Sequence, residues 1–263
     1  MDYHCEILSN GVLQGPYRRI VFRAPELAGA AAPGQFVHVR IPACRDRILR
    51  RPFSICSADP EAGSLTIVYK IVGEGTGELS RMAPGEFCDV MGPLGHGYTL
   101  PGEDTFPILV AGGYGSASTL FLAERSPRKG VLLTGARSAD DLILLEEYRK
   151  IGYRVLTATN DGSAGRQGLV TELLPEALSL LPEAATAFCY ACGPAPMLYA
   201  LGPLTLKSGL RTELSLDQHM CCGVGACFAC VVKVKDDSSP DKWRYSRSCK
   251  EGPVYSAEEL YYG

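Results

Sequence analysis

Three regimes of hydrophobic patterning follow one another along the chain. Over residues 1–102 the apolar positions come in short runs, among them Arg19–Phe22, Gln35–Ile41 and Ser64–Val72, separated by turn clusters such as Ala32-Pro33-Gly34 and Asp59-Pro60. Branched and aromatic side chains suit a pleated, half-buried surface, and proline, glycine and aspartate interrupt it. The pattern therefore predicts an antiparallel β barrel. Glycine and proline then become dense, from Gly92-Pro93-Leu94-Gly95 to Pro101-Gly102, and mark a first boundary. Over residues 103–209 the rhythm alternates. Apolar runs at Phe106–Ala111, Gly130–Gly135, Arg154–Thr159 and Ala187–Ala191 read as buried parallel strands. Ser118–Glu124, Asp141–Ile151, Leu169–Leu174 and Ala195–Leu201 read as helices between or after them. This alternation predicts a doubly wound parallel sheet covered by helices on both faces. The remaining stretch, 210–263, carries a cysteine-rich loop followed by short strands.

Composition narrows the field. With 263 residues, 46% hydrophobic and 21% charged, the chain can bury two ordinary domains and a small appendage. A net charge of −3 without a Lys/Arg block excludes a general nucleic-acid binder. The uncharged stretch Thr105–Ala123 is long enough to span a membrane. It contains Pro107, three glycines and a Ser/Thr cluster, so strand–loop–helix is expected and no membrane anchor. The N-terminal Met-Asp-Tyr-His-Cys-Glu is no signal peptide, and eleven cysteines without evident pairing fit a reducing cytoplasm.

The chemistry concentrates at the C-terminal end. Met220-Cys-Cys-Gly-Val-Gly-Ala-Cys-Phe-Ala-Cys230 contains C-x4-C-x2-C, and 18 residues lie between Cys230 and a single further cysteine, Cys249. This is the plant-type [2Fe–2S] spacing, with Cys222, Cys227, Cys230 and Cys249 as the four thiolate ligands. Gly223 and Gly225 let the loop close and aim backbone N–H groups at sulfur. A structural zinc site also takes four cysteines, but usually as two short-spaced pairs, and here Cys249 stands alone. Cys221 would give five intervening residues before Cys227, so Cys222 is the expected ligand. An iron–sulfur centre carries single electrons, which points to electron transfer.

Weaker signals precede it. Arg51-Pro52-Phe53-Ser54 follows the strand pattern and offers a bidentate fork for a pyrophosphate, an aromatic ring and a hydroxyl. Gly73-Glu74-Gly75-Thr76-Gly77 offers backbone amides and a second hydroxyl. Ala111-Gly112-Gly113-Tyr114-Gly115 sits between a strand and a helix, the context for a dinucleotide, although Ser118 breaks a strict G-x-G-x-x-G. Cys192-Gly193-Pro194 follows the last expected strand of the sheet, where such sheets bind ligands. Taken singly, each has a plainer reading: a surface ion pair, a turn, a buried thiol.

In this order the motifs resemble the ferredoxin–NADP⁺ reductase superfamily, and with Cys-Gly-Val-Gly-Ala-Cys-Phe-Ala-Cys the chain is similar throughout to electron-transfer subunits of type B dihydroorotate dehydrogenase. Pro33-Gly34-Gln35-Phe36-Val37, Asp161-Gly162-Ser163 and Ser215-Leu216-Asp217 share in the resemblance. It implies FAD held by Arg51, Pro52, Phe53, Ser54, Val68, Tyr69, Lys70, Gly75 and Thr76. It implies NAD(H) as co-substrate at Gly112, Gly113 and Gly115, with Cys192 at the catalytic junction. A cytoplasmic catalytic subunit holding FMN would oxidise dihydroorotate, in a heterotetramer of two copies of each chain, and electrons would pass through cluster and FAD to NAD⁺. One departure matters. The family loop usually reads Gly-Gly-Gly-Ile-Gly and continues with proline; here Ala111, Tyr114 and Ser116–Thr119 stand instead, and the Tyr114 ring falls where a dinucleotide would lie. Two alternatives follow: the same fold serving another complex, such as an electron-bifurcating transhydrogenase, or an iron–sulfur sensor without turnover.

Overall fold

A computed structural model of the chain describes residues 1–44 and 48–263. Strands β1 (Asp2–Gln14), β2 (Tyr17–Arg23), β3 (Phe36–Arg40), β4 (Arg51–Asp59), β5 (Ser64–Lys70) and β6 (Phe87–Leu94) close into a barrel in the order β1-β2-β5-β4-β3-β6. Every pairing in it is antiparallel. Ile20, Phe22, Val37, Val39, Ile55 and Ile67 are fully buried inside it. Burial of this kind is worth about 1.5–3 kcal/mol per side chain before chain entropy is counted. Because side chains alternate, Val37 and Val39 pointing inward turns Phe36 and His38 outward. Helix α1 (Pro25–Ala30) adds Leu27 to the same core, and α2 (Glu74–Arg81) adds Leu79.

The second layer is a seven-stranded sheet. Its strands are β7 (Thr105–Gly112), β8 (Val131–Ala136), β9 (Arg154–Thr159), β10 (Arg166–Gln167), β11 (Thr186–Gly193), β12 (Arg211–Leu216) and, from far along the chain, β15 (Val254–Ser256). The order is β10-β9-β8-β7-β11-β12-β15, and only the β12–β15 pair is antiparallel. The chain runs outward from β7 through β8 and β9, then returns to the other side of β7 as β11. That reversal opens a crevice between the carboxyl ends of β7 and β11. Helices α4 (Leu145–Lys150), α5 (Leu174–Ser179) and α6 (Ala195–Lys207) lie between its strands in sequence.

Helix α3 (Gly115–Arg125) joins the two layers. Every residue from Gly115 to Ala123 is buried, because the helix touches β4 on one side and β7 and β11 on the other. Phe121 packs into the barrel core, while Leu120 and Leu122 pack under the sheet. A helix buried on every face, its polar residues Ser116, Ser118 and Thr119 included, is one enclosed on all sides. Polar ties reinforce the junction. Tyr17 Oη and Lys70 Nζ, both from the barrel, each donate to Asp141 Oδ1 at 2.7 Å.

The expected strands and their parallel sheet are present, and Thr105–Ala123 is β7, a turn and α3. Among the described residues no helix is long and apolar enough to cross a membrane. Two helices differ from expectation. Asp141–Ile151 is helical only from Leu145, because Leu144 takes a left-handed φ of 64°. Leu169–Leu174 is a tight 3₁₀ turn over Val170–Leu173, and the α-helix begins after it, with Pro175 in its first turn where a missing N–H costs nothing. The sheet also runs past residue 209: β12 and β15 extend it. Between them, residues 217–230 form the cysteine loop, and β13 (Val231–Lys235) pairs with β14 (Trp243–Arg247) as a separate hairpin.

Candidate functional site

Between barrel and sheet lies a cleft of about 350 Å³. Phe36, Pro52, Phe53, Ser54, Val68, Tyr69, Lys70 and Thr76 line it from the barrel side, and Tyr114, Ala117, Cys192, Ser215, Asp217 and Met220 from the other. Eight of the residues singled out in the sequence thus meet here: Pro52, Phe53, Ser54, Val68, Tyr69, Lys70, Thr76 and Cys192. They meet because β4 and β5 are neighbours in the barrel, so the ends of both strands open on one face. The aromatic and aliphatic walls suit a flat ring system, and Ser54 and Lys70 supply polar edges.

Arg51 and Gly75 line an adjoining hollow of about 250 Å³ with Val72, Gly73, Glu74 and Thr76. The Arg51 guanidinium lies against Gly75, where a Cβ would fall 2.8 Å from Nε. Gly73–Gly77 is not a free loop but the start of α2. The Thr76 hydroxyl accepts the Val72 N–H at 2.9 Å and the Gly73 N–H at 3.3 Å, which ties the turn together. A guanidinium fork beside a helix N-terminus is a cradle for a diphosphate. The donor set therefore fits the flavin dinucleotide that the motifs imply.

Gly112, Gly113 and Gly115 do not line the cleft; they stand behind it. A Cβ on Gly112 would meet Pro194 Cδ at 2.6 Å, and one on Gly115 would meet the Cys192 carbonyl oxygen at 2.1 Å. These glycines let the ends of β7 and β11 close on each other, while Gly113 turns the chain at φ 54°. Tyr114 then reaches across the crevice, 41% exposed, and its hydroxyl donates to Asp217 Oδ2 at 3.0 Å. Burial pushes the Cys192 thiol up to about 12, helped by the Asp217 charge, so it stays protonated.

The cysteine loop docks on the outer face of β3. The Cys249 N–H lies 3.4 Å from the Cys230 sulfur, and the Cys227 side chain acts on both Cys222 and Cys221. Burial raises the Cys222 thiol, but the amides of Val224, Cys227 and Ala226 and the Cys227 side chain outweigh it and hold Cys222 at about 6. The Ala226 N–H lies 3.3 Å from its sulfur. Cys221 has no such ring of amides among the described residues, which distinguishes the two neighbours. No three Cys, His, Asp or Glu side chains among the described residues converge on one point. Two irons bridged by sulfide take two thiolates each, and Cys222, Cys227 and Cys230 of the loop with Cys249 after β14 offer four.

One thin wall separates the two sites. Phe36 and Met220 line the cleft on one side and pack with the buried Cys230 and Cys249 on the other. Phe36 was read only as part of Pro33–Val37 and Met220 only as the start of the cysteine run; neither was given a role in the sequence, nor was Asp217 as a partner for Tyr114, or His38. His38 is fully buried, burial and the Arg50 charge lower it to about 4, and neither ring nitrogen has a hydrogen-bond partner among the described residues. The signal was the strand alternation of Phe36-Val-His-Val, which puts Phe36 and His38 on one face. What that face would meet lies almost two hundred residues away.

Comparison with known proteins gives a consistent picture. Residues 6–98 match the oxidoreductase FAD-binding domain family, and residues 217–261 match the iron–sulfur cluster binding domain of dihydroorotate dehydrogenase B. The chain is 36% identical over 242 residues to the dihydroorotate dehydrogenase B (NAD⁺) electron transfer subunit of Desulforamulus reducens, covering 91% of this chain and 90% of that one. To the same subunit of Geobacillus kaustophilus it is 40% identical over 233 residues, covering 87% and 86%. Among solved structures, that of an NADH-dependent reduced ferredoxin–NADP oxidoreductase, studied for flavin-based electron bifurcation, superposes with a TM-score of 0.82 at 29% identity, covering 98% of this chain and 90% of that one. The cytochrome b5 reductase domain of Ulva prolifera nitrate reductase shares the fold, with a TM-score of 0.66 at 17% identity over 80% and 94%.

Proposed function

The chain belongs to the family of dihydroorotate dehydrogenase B electron-transfer subunits, and from that premise we propose which of its residues perform the transfer and with what partner. It is an FAD- and iron–sulfur-dependent oxidoreductase subunit linked to NAD⁺, and its role requires a separate catalytic subunit. The flavin converts single electrons into a hydride, and the cluster passes them one at a time. We assign the diphosphate of FAD to Arg51 and the α2 N-terminus at Gly75-Thr76. Its ring system goes to Pro52, Phe53, Ser54, Val68, Tyr69 and Lys70. Cys222, Cys227, Cys230 and Cys249 hold the cluster.

The wall formed by Phe36 and Met220 supports this assignment most directly, because it leaves a single layer of side chains between the flavin cleft and two of the cysteines. The same apolar residues, with Phe53, keep water from the junction. Cys192 keeps its proton at the cleft floor and acts as an uncharged packing group beside the nicotinamide. Residues 1–102, 103–209 and 210–263 then carry flavin, nicotinamide and cluster respectively, although β12 and β15 sew the third into the sheet of the second. The partner, which we take to hold FMN in an assembly of two copies of each chain, docks over the cysteine loop. There Cys227 is exposed, Val224 and Phe228 are half exposed at 50% and 57%, and a cleft of about 760 Å³ opens between residues 48–52 and 217–220.

The test is anaerobic mixing of the purified chain and its partner with dihydroorotate, and separately with NADH, while the flavin band is followed. Both donors should bleach it. A flavin that NADH reduces and dihydroorotate does not would move the chain to the second circuit, favoured by its 98% coverage on the electron-bifurcating enzyme. If neither donor reduced it, the assignment of the crevice between β7 and β11 to a nicotinamide would be wrong.

A further inference from the structure

His38 is a histidine of the barrel strands that the fold hides completely, and both of its ring nitrogens lack a partner among the described residues. A neutral imidazole carries one N–H donor and one acceptor nitrogen, and burying both unpaired is unfavourable. An aliphatic side chain would fill the same space at no such cost. The ring is not turned into the barrel, whose core holds Val37 and Val39. It faces outward, beside Phe36 with ring centroids 5.6 Å apart, and Phe36 itself packs on Cys230 and Cys249.

The edge that carries both nitrogens is pressed on the cysteine loop. A Cβ built on Gly223 would lie 2.9 Å from His38 Cε1, 3.0 Å from Nε2 and 3.1 Å from Nδ1. Gly223 adopts a φ of 71° and follows Cys222 directly, so the ring abuts the backbone that turns the first thiolate of the loop into place. On its other side His38 is paired across the ladder with Pro52, a wall residue of the flavin cleft. The orphaned donor thus sits where the flavin strand and the cysteine loop meet.

We propose that His38 is a positioning residue that donates a ring N–H to a sulfur of the iron–sulfur cluster and so raises the cluster's reduction potential from the flavin side. The inference rests on the assignment of the cluster to this loop. Donors aimed at cluster sulfurs stabilise the reduced, more negative state, which is a main means by which a protein sets such potentials. The loop's own amides act from within the cysteine segment, whereas His38 acts from the barrel. It couples the potential of the cluster to correct docking against the flavin domain.

The experiment uses the full chain with its partner, as wild type and as His38→Leu, His38→Asn and His38→Gln. Iron and sulfide content is measured first, then the midpoint potentials of cluster and flavin by titration monitored with EPR and absorbance. His38→Leu should keep the cluster while its reduced-to-oxidised ratio at fixed poise falls about tenfold, a shift of ~59 mV for a one-electron couple. The flavin potential should stay in place. Asn or Gln, whose amide N–H approximates Nδ1–H or Nε2–H, should restore most of the shift, and only one of the two should do so. A wild-type midpoint and EPR spectrum in His38→Leu would overturn the proposal. If leucine costs the cluster, the Asn and Gln variants decide: unequal midpoints uphold the donor, equal ones refute it. Loss of the cluster from all three would make the ring a ligand or a structural prop instead. A wild-type chain with no cluster would refute the ligand assignment itself, a result distinct from all of these.

Discussion

Tyr114 closes the crevice that we assign to the nicotinamide, and removing its hydroxyl should open it. The bond to Asp217 is 3.0 Å long, and both residues are exposed at their rims. A hydrogen bond to a charged acceptor is worth about 1.5–3 kcal/mol when shielded, so at this exposure about 1 kcal/mol is reasonable. That is roughly a fivefold bias toward the closed arrangement. A ligand that needs the open arrangement then binds with an apparent Kd raised by the same factor. Tyr114→Phe keeps the ring and loses the tie. It should lower the apparent Kd for NADH about three- to fivefold, with the limiting rate of flavin reduction little changed. Stopped-flow reduction across a range of NADH concentrations separates the two quantities. An unchanged Kd would mean that the tie does not hold the crevice shut. A weakened one would mean that the hydroxyl contacts the nicotinamide, and the gating argument would be refuted.

Other perturbations test other joints of the structure. Arg51→Ala removes the fork beside Gly75 and should weaken FAD by about 2 kcal/mol, ~30-fold, seen as flavin fluorescence released on dilution; full retention of flavin in dilute protein would contradict the assignment. Cys222→Ser should abolish or distort the reduced-state EPR signal while Cys221→Ser preserves it, and the opposite result would shift the ligand register by one. Asp141 is held below the ordinary carboxylate range by its bonds to Lys70 and Tyr17. A depressed folded pKa contributes stability that is present above the unfolded value of about 3.9 and is lost as pH falls through the folded one. Asp141→Asn should therefore be less stable by about 1 kcal/mol at pH 7 in urea unfolding, and the gap should close in acid below that value. A gap independent of pH would show that the carboxylate charge is not what joins barrel and sheet.

How much of this was legible in the sequence differs from element to element for physical reasons. The strands of the sheet were readable because parallel strands buried on both faces are continuous apolar runs, as in Phe106–Ala111. The iron–sulfur segment was readable because the spacing of its cysteines is itself chemistry. β12 was not assigned to the sheet: Arg-Thr-Glu-Leu-Ser-Leu alternates in the way an exposed edge strand does, and only its neighbours β11 and β15 show it to be internal. The start of α5 was hidden because a 3₁₀ turn and an α-helix present the same local apolar spacing until Pro175 is weighed. The cleft residues of β4 and β5 were visible as motifs. Ser215 and Asp217 were visible only as part of a family motif and Met220 only as a neighbour of the cysteines; that they form the second half of the cleft was not, because it depends on contacts across more than a hundred residues that no local pattern encodes.

The antiparallel addition of β15 to β12 has a consequence for how the molecule comes into being. The barrel can close from the first ninety-odd residues alone, and domains tend to fold as they leave the ribosome. The sheet cannot. One flank of β12 stays bare until Val254–Ser256 emerge, and a bare flank is a template for pairing with another chain. Every cysteine of the loop, and Cys249 after it, appears before that flank is covered. A truncation that spared all four cysteines but removed β15 would leave a protein competent to receive metal and prone to aggregate.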